Sequence, residues 1–392
     1  MNDTPSAQRI HIAFFGRRNV GKSSLVNAFT GQQLSVVSDV KGTTTDPVSK
    51  AMELLPLGPV QIIDTPGFDD EGDLGRLRVK RTEQILNTAD VAILVTDAAR
   101  PLDKQEQALL EQFRRRDLPH LLVRNKADLV QAYAGEGIFT SALTGAGVEE
   151  LKERTAHLTR QENPRPLVAD LLSPGDTVVL VVPIDKSAPK GRLILPQQMT
   201  IRDILEAGAS ALVCRDTELE STLTSLKQPP RLVITDSQVF GAVNALVPPQ
   251  VPLTSFSILM ARYKGDLPRM VQGAATLEQL KTGDRVLIAE GCTHHRQCED
   301  IGTVKLPRLI RKYTGAEPEF TFVSGKDFPE DLSPYRLVIH CGGCMLTPRQ
   351  LQSRLSQCSN IPVTNYGVLL AHLNGILPRT LSFFDDRYTK AE

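Results

Sequence analysis

The chain has 392 residues, 41% apolar and 23% charged, a balance that excludes wholesale disorder and, at about 150 residues per domain, leaves room for two or three separately cored domains. Lys plus Arg and Asp plus Glu both number 45, so the net charge is zero, which argues against a nucleic-acid binder working by bulk attraction. No apolar run approaches the ~18 residues of a membrane span, and the opening MNDTPSAQR is polar with no apolar leader core. The expectation is a cytoplasmic protein with neither a membrane nor a nucleic acid as partner.

Residues 1–8 read as a frayed tail, and a βα rhythm starts at Ile10. Apolar runs at 10–15, 60–63, 91–96, 120–123 and 138–139 predict buried strands of a mostly parallel sheet. Helix-periodic stretches at 23–30, 75–87, 103–116 and 147–160 separate them. The polar, proline-bearing QENPRPL at 161–167 reads as a linker that closes a first domain over 9–163. A second domain over 164–262 has strands at 178–182, 211–214, 231–234 and 252–256, and helices at 197–207, 216–226 and 236–246. It carries no phosphate loop and no acid–base set, which suits packing or self-association. A third domain over 263–392 has strands at 285–289, 320–323, 336–340 and 362–364, and helices at 300–313, 348–357 and 365–373. The fold class is α/β: a P-loop domain followed by two smaller α/β domains with mostly parallel sheets.

The first strand runs into Gly16-Arg17-Arg18-Asn19-Val20-Gly21-Lys22-Ser23-Ser24, a Gly-x4-Gly-Lys-Ser loop between strand and helix. Its glycines let successive N–H groups face an anion, and the helix beginning near Lys22 adds its positive end. Lys22 can reach the β and γ phosphates of a nucleotide, and Ser23 can offer its hydroxyl to Mg²⁺. Asp64-Thr65-Pro66-Gly67 ends another buried strand; Asp64 suits Mg²⁺, and the Gly67 N–H suits the γ phosphate. Asn125-Lys126-Ala127-Asp128 ends a third. The Asp128 carboxylate can accept from N1–H and the 2-amino group of guanine, a donor pair adenine lacks. Ser141-Ala142-Leu143 can add a backbone N–H to the guanine oxygen.

That ordered set resembles the Ras-like GTPases over roughly the first 160 residues. Lys41-Gly42-Thr43-Thr44-Thr45-Asp46 and Asp64-Thr65-Pro66-Gly67-Phe68 resemble the bacterial branch containing TrmE and Era. The resemblance implies GTP as substrate, Thr44 as a third Mg²⁺ group beside Ser23 and Asp64, and Lys22, Thr44, Asp64 and Gly67 as the catalytic set. Phe68 stands where Ras has a water-positioning glutamine, and an apolar ring cannot polarise water. In that branch an asparagine matching Asn19 helps bind K⁺, which implies slow, K⁺-stimulated turnover. A Ras-type site without an arginine finger works at about 10⁻⁴–10⁻³ s⁻¹, a rate suited to a switch.

Six cysteines in the chain are too few for a disulfide framework. Cys292-Thr293-His294-His295-Arg296-Gln297-Cys298-Glu299 and His340-Cys341-Gly342-Gly343-Cys344 each follow an apolar strand. Loops beyond the carboxyl ends of parallel strands gather on one edge, so the two can share a site. Three thiolates, Cys292, Cys341 and Cys344, with a histidine would suit zinc. The same thiolates with an open fourth position would suit an iron–sulfur cluster. A redox Cys-x-x-Cys beside His340 is the third reading. Cys298 reads as a spare thiol, His295 as a solvated loop residue, and Cys214 and Cys358 as structural.

A GTPase domain followed by Cys-x-His and then His-Cys-x-x-Cys resembles the HydF family of FeFe-hydrogenase maturation GTPases over essentially the whole chain. The resemblance implies a homodimer with GTP-binding, dimerisation and cluster-binding domains. It implies a 4Fe–4S cluster on Cys292, Cys341 and Cys344 with an exchangeable fourth position. His294 and His340 belong to the motif, and Glu299, seven residues past Cys292, could swing a carboxylate back, so the fourth ligand is drawn from Glu299, His294 or His340. It further implies a scaffold that takes a diiron precursor from radical-SAM maturases and delivers it to apo FeFe-hydrogenase. The alternative is a TrmE- or Era-like RNA-associated GTPase whose C-terminal module is stapled by zinc.

Overall fold

The computed structural model describes residues 4–32, 48–67, 82–131, 135–159, 166–184, 193–291, 300–325 and 327–384. Thr44, Phe68 and residues 292–299 lie outside the described residues. The chain divides into two compact units, Met1–Pro164 and Arg165–Glu392.

The first unit is built on strands β1 (Ile10–Gly16), β2 (Val48–Leu54), β3 (Gly58–Asp64), β4 (Val91–Asp97), β5 (His120–Asn125) and β6 (Ile138–Phe139). Its helices are α1 (Lys22–Thr30), α2 (described over 82–86), α3 (Lys104–Arg115) and α4 (Val148–Thr159). The sheet order is β2-β3-β1-β4-β5-β6, and β2 alone runs antiparallel, against β3. Strands covered on both faces read as unbroken apolar runs; Val91–Thr96 is buried throughout. Alternate residues of β1 divide between two cores. Ile12 and Phe14 pack with Leu25, Phe29 and Leu151, while Ala13 and Phe15 pack with Leu86, Leu109 and Phe113.

The second unit holds two four-stranded sheets. One has the order β10-β9-β7-β8, from β7 (Thr177–Val181), β8 (Ser210–Cys214), β9 (Leu232–Thr235) and β10 (Leu253–Ser255). The other has the order β12-β11-β13-β14, from β11 (Arg285–Glu290), β12 (Glu319–Ser324), β13 (Leu337–His340) and β14 (Val363–Asn365). Every pairing in both is parallel. Helices α5 (Leu195–Glu206), α6 (Leu219–Ser225) and α7 (Phe240–Leu246) serve the first sheet. Helices α8 (Phe256–Lys264) and α9 (Leu267–Ala274) follow it, and α10 (Leu306–Thr314), α11 (Pro348–Gln357), α12 (Tyr366–Leu373) and α13 (Leu377–Leu381) serve the second sheet. One continuous core runs through both sheets, from Val178–Val181 through Ile258–Ala261 to Val286–Ile288.

The expected α/β class with mostly parallel sheets is what the chain adopts. Four of the strands and helices described above have no counterpart in the sequence reading: β2, α8, α9 and α13. Strand β2, VSKAMEL, is a partly exposed edge with a lysine and a glutamate, so no apolar run marks it. Helix α8 buries Phe256, Ile258, Leu259, Met260 and Ala261, which leaves no polar face to set a helical period. Cys214, in an apolar strand, and Cys358, at the end of α11, are both buried in the core. Among the described residues no helix is long and apolar enough to cross a membrane.

Candidate functional sites

Strand β1 ends at Gly16 and α1 begins at Lys22, so the loop between them sits on the carboxyl edge of the central strand. Asn19 (φ 62°) and Gly21 (φ 79°) are left-handed. Such residues turn neighbouring N–H groups to one side and form an anion-binding nest. A Cβ on Gly16 would lie 2.6 Å from the Val95 carbonyl oxygen, and one on Gly21 would strike the Asn125 amide. Both positions therefore require glycine.

Asp64 stands opposite Phe14 in the parallel register of β3 on β1 and is buried. The Lys22 ammonium pairs with one oxygen of its carboxylate. The Ser23 hydroxyl donates to the other at 2.8 Å. Thr65 ties the strand end down, its hydroxyl donating to the Phe14 carbonyl at 2.8 Å. A cation, a hydroxyl and a carboxylate that are distant in sequence thus meet at the mouth of the loop.

Asn125 does a different job from the one its motif suggests at first sight. Its amide donates to the Val20 carbonyl at 2.9 Å and the Gly21 carbonyl at 3.3 Å. Its carbonyl oxygen accepts from the Ala142 N–H at 3.1 Å and the Thr140 hydroxyl at 3.3 Å. It therefore laces the phosphate loop to the segment after β6. With the Ala142 N–H spent on Asn125, the donor left for a base in that segment is the Leu143 N–H, on a residue 86% exposed. Lys126 is left-handed (φ 63°) and pairs with Asp97 at 2.8 Å. Asp128 is exposed, and its carboxylate makes no hydrogen bond among the described residues. Sequence reasoning missed Asp97, and it missed Asp103, which caps α3 and pairs with Arg17 of the phosphate loop at 2.5 Å. The Asp-x-x-Glu capping signature at 103–106 was the available signal.

In the second unit β11 and β13 are parallel neighbours, with Ala289 opposite His340. Their following loops accordingly leave by the same edge. The Cys341 Sγ accepts from the Gly291 N–H at 3.0 Å and the Gly343 N–H at 3.3 Å. Gly291 directly precedes Cys292. Cys292, His294 and Glu299 lie outside the described residues, and among the described residues no three metal-ligating side chains gather at one point. Burial pushes the Cys341 thiol up to about 11, helped by the charge of Cys344. Burial also raises the Cys344 thiol, against the pull of the Lys264 ammonium.

His340 behaves differently from its expected place among the exchangeable ligands. It is 1% exposed, and its Nε2 lies 3.0 Å from Arg354 Nη1. A guanidinium only donates, so Nε2 accepts and Nδ1 carries the proton. Nδ1 then donates to the Cys341 carbonyl at 2.9 Å. Burial, followed by the Arg354 charge, drives its pKa down to about 4. With both nitrogens taken, His340 has no lone pair for iron in this arrangement; Glu299 and His294 are the candidates left from the expected three. The remaining donor set suits a soft, anionic cluster: thiols on a glycine-rich loop, N–H groups aimed at sulfur, and two buried cations, Lys264 and Arg354, beside them.

Comparison with known proteins finds matches for both units. Residues 11–126 match a family described as 50S ribosome-binding GTPase. The tRNA modification GTPase MnmE of Aquifex aeolicus is 36% identical over 151 residues, 37% of this chain and 33% of that protein. The one from Synechococcus sp. (strain JA-3-3Ab) is 37% identical over 165 residues, 40% of this chain and 35% of that protein. The chain thus spans about a third of the length of these curated relatives. Among solved structures, Aquifex aeolicus Era bound to GDP and AlF4⁻ is 21% identical over 52% of this chain and 93% of its own, with a TM-score of 0.35. The G domain of the T. maritima FeoB iron transporter is 26% identical over 39% of this chain and all of its own, with a TM-score of 0.31. The Ras-like strand order rests on the hydrogen bonding described above. The first unit is a GTPase domain by its family match. Residues 167–265 match the hydrogen maturase F dimerization domain, and residues 268–383 match the hydrogen maturase F tetramerization domain. Two adjacent matches to one family, spanning more than half of the chain behind a GTPase domain, decide its kinship: the chain belongs to the hydrogen maturase F family.

Proposed function

We propose that this protein is a GTP-hydrolysing scaffold and carrier: it holds a 4Fe–4S cluster and delivers the diiron precursor of the hydrogenase active site to apo FeFe-hydrogenase. Radical-SAM maturases supply the precursor, and the chain works as an oligomer, with residues 164–262 as the dimerisation domain and 263–392 as the cluster domain. Cys292, Cys341 and Cys344 hold the cluster, with the exchangeable position on Glu299 or His294. A carboxylate there is weak and displaceable, which a carrier needs.

The observation that carries the reading is at Cys341: its sulfur accepts N–H groups from both cysteine-bearing loops, one donor being Gly291, the residue before Cys292. Such bonds are among those that tune iron–sulfur centres. In the first unit, Lys22 turns from Asp64 to the β and γ phosphates when GTP binds. Ser23, Thr44 and Asp64 then hold Mg²⁺, and Gly67 meets the γ phosphate. Asn19 contributes to a K⁺ site that supplies positive charge where an arginine finger would act, so hydrolysis is slow and K⁺-stimulated. Gly16 and Val20 to Ser24 wrap the phosphates. Asn125, Lys126 and Asp128, with the Ser141–Leu143 segment, frame the guanine.

Reciprocal variants test this. The anaerobically reconstituted wild-type chain should contain iron and give a cluster EPR signal when reduced. Cys344→Ser should lose that signal and keep GTP turnover, whereas Lys22→Ala should keep the signal and lose turnover. A colourless wild-type protein with stoichiometric zinc overturns the carrier reading.

A further inference from the structure

Two basic side chains are buried where the cysteine loop folds. Lys264, the last residue of α8, is 2% exposed. Its ammonium donates to the carbonyls of Leu346 at 2.7 Å, Cys344 at 3.2 Å and Gly343 at 3.3 Å. An ammonium has three donors, so the loop from Gly343 to Leu346 is wrapped around a saturated cation. Arg354, on α11, is 8% exposed. One of its nitrogens donates to His340 Nε2 at 3.0 Å, another to the Gly325 carbonyl, and its guanidinium lies over the Phe328 ring. Through His340 it reaches the Cys341 carbonyl.

Neither cation has a carboxylate partner among the described residues. Burying a charge is costly unless an opposite charge stands near, and removing water strengthens whatever attraction remains. The groups that would oppose these charges once ionised are thiols: Cys344 and Cys341 beside the Lys264 ammonium, and Cys341 and Cys358 beside Arg354. Carbonyl dipoles hold Lys264, and the buried carboxylate near Cys341, Glu290, takes the Tyr366 hydroxyl at 3.1 Å; two buried cations with no carboxylate of their own favour an anion at the thiols. An iron–sulfur core on three thiolates is anionic, and each added electron or anionic ligand deepens that charge.

We propose that Lys264 and Arg354 are positioning residues of the cysteine site, which hold the Cys341–Cys344 loop in its binding shape and balance the negative charge of the cluster and of anionic groups that join it. The inference rests on the cluster reading above and goes beyond it. It assigns part of the electrostatic work to a residue of α8, inside the segment that matches the dimerization domain, while the cysteines lie in the segment that matches the tetramerization domain.

The test uses the full chain, reconstituted anaerobically with iron and sulfide. Lys264→Met and Arg354→Met remove one cation each at similar length, and Arg354→Lys keeps the charge. Midpoint potentials are read by EPR-monitored redox titration, iron content by analysis, and folding by circular dichroism and thermal melting. Reduction adds negative charge, so both methionine variants should show potentials shifted negative, or lose iron while still folded. Arg354→Lys should lie closer to wild type. Wild-type potentials with full iron in both methionine variants overturn the inference and leave the cluster reading intact. Collapse of the fold in both also overturns it, since the cations would then serve the fold alone. A wild-type chain that takes up no iron sinks the cluster reading, and this inference with it.

Discussion

At the scale of single residues, the nucleotide site works by sharing. Asp64 receives both Lys22 and Ser23, and Asn125 bridges the phosphate loop to the segment after β6. These polar groups satisfy one another, which keeps them oriented for ligands that are also polar and charged. Asp128 contrasts with them: its carboxylate is exposed and makes no hydrogen bond among the described residues, so it is free to read a base. Two hydrogen bonds to a charged group are worth about 1.5–3 kcal/mol each. Asp128→Asn should therefore weaken GTP binding by about two to four orders of magnitude and favour xanthosine triphosphate, whose O2 accepts where guanine donates. Competition binding of the two nucleotides checks this, and unchanged guanine selectivity would refute the base-reading role. The residues of this site were nearly all visible in the sequence, because a backbone nest and a strand-end carboxylate are local devices with local spacing. Asn125's bracing bonds were not, since they join residues 105 and 17 positions apart.

At the scale of elements, close approach decides where glycine must stand. Gly273 lies on the face of α9 that touches β14, and a Cβ there would collide with the Val363 backbone. Backbone cannot yield as a side-chain tip can, and overpacking costs typically about 1–3 kcal/mol. Gly273→Ala should lower the melting temperature of the second unit by several degrees without altering GTP turnover; calorimetry with a parallel hydrolysis assay reads both. The buried parallel strands were legible as apolar runs, within two residues at their ends. Strand β2 and helix α8 were not, for opposite reasons. One is a half-exposed edge whose apolar residues are diluted by charge, and the other is buried on so many sides that its period vanishes. Helix α9 escaped because Leu267-Pro268 opens it and Gly273 sits near its end, a composition that resembles a loop.

At the scale of the whole molecule, the chain has two compact units, and the second has one core through two sheets. Such a chain need not unfold in one step. Two thermal transitions are expected, and Mg·GDP should raise only the one that belongs to the GTPase unit. A ligand at about 100 times its Kd adds about 2.7 kcal/mol to the state that binds it; a single transition, or equal shifts of both, would contradict this. The carrier reading further predicts that GTP and GDP forms differ in affinity for the hydrogenase and for the maturases, because a nucleotide can bias a distant site only through states it binds unequally. Titrations with GTP, with GDP and without nucleotide measure that difference, and equal affinities eliminate the coupling.

The sequence by itself determined which groups are on offer: a Gly-x4-Gly-Lys-Ser loop, a strand-end carboxylate, an Asn-Lys-x-Asp motif, and thiols placed after strands of a parallel sheet. Each of these is written in short spacings that local backbone geometry converts directly into a local arrangement of groups. Tertiary structure alone decided how that chemistry is supported. The parallel register of β11 and β13 brings Gly291 to the Cys341 sulfur. The folding of α8 and α11 onto the cysteine loop buries Lys264 and Arg354 there and takes His340 out of the ligand set. The reason is physical: burial and charge balance depend on which surfaces meet, and a lysine 79 residues from the loop it supports leaves no periodic trace in the chain.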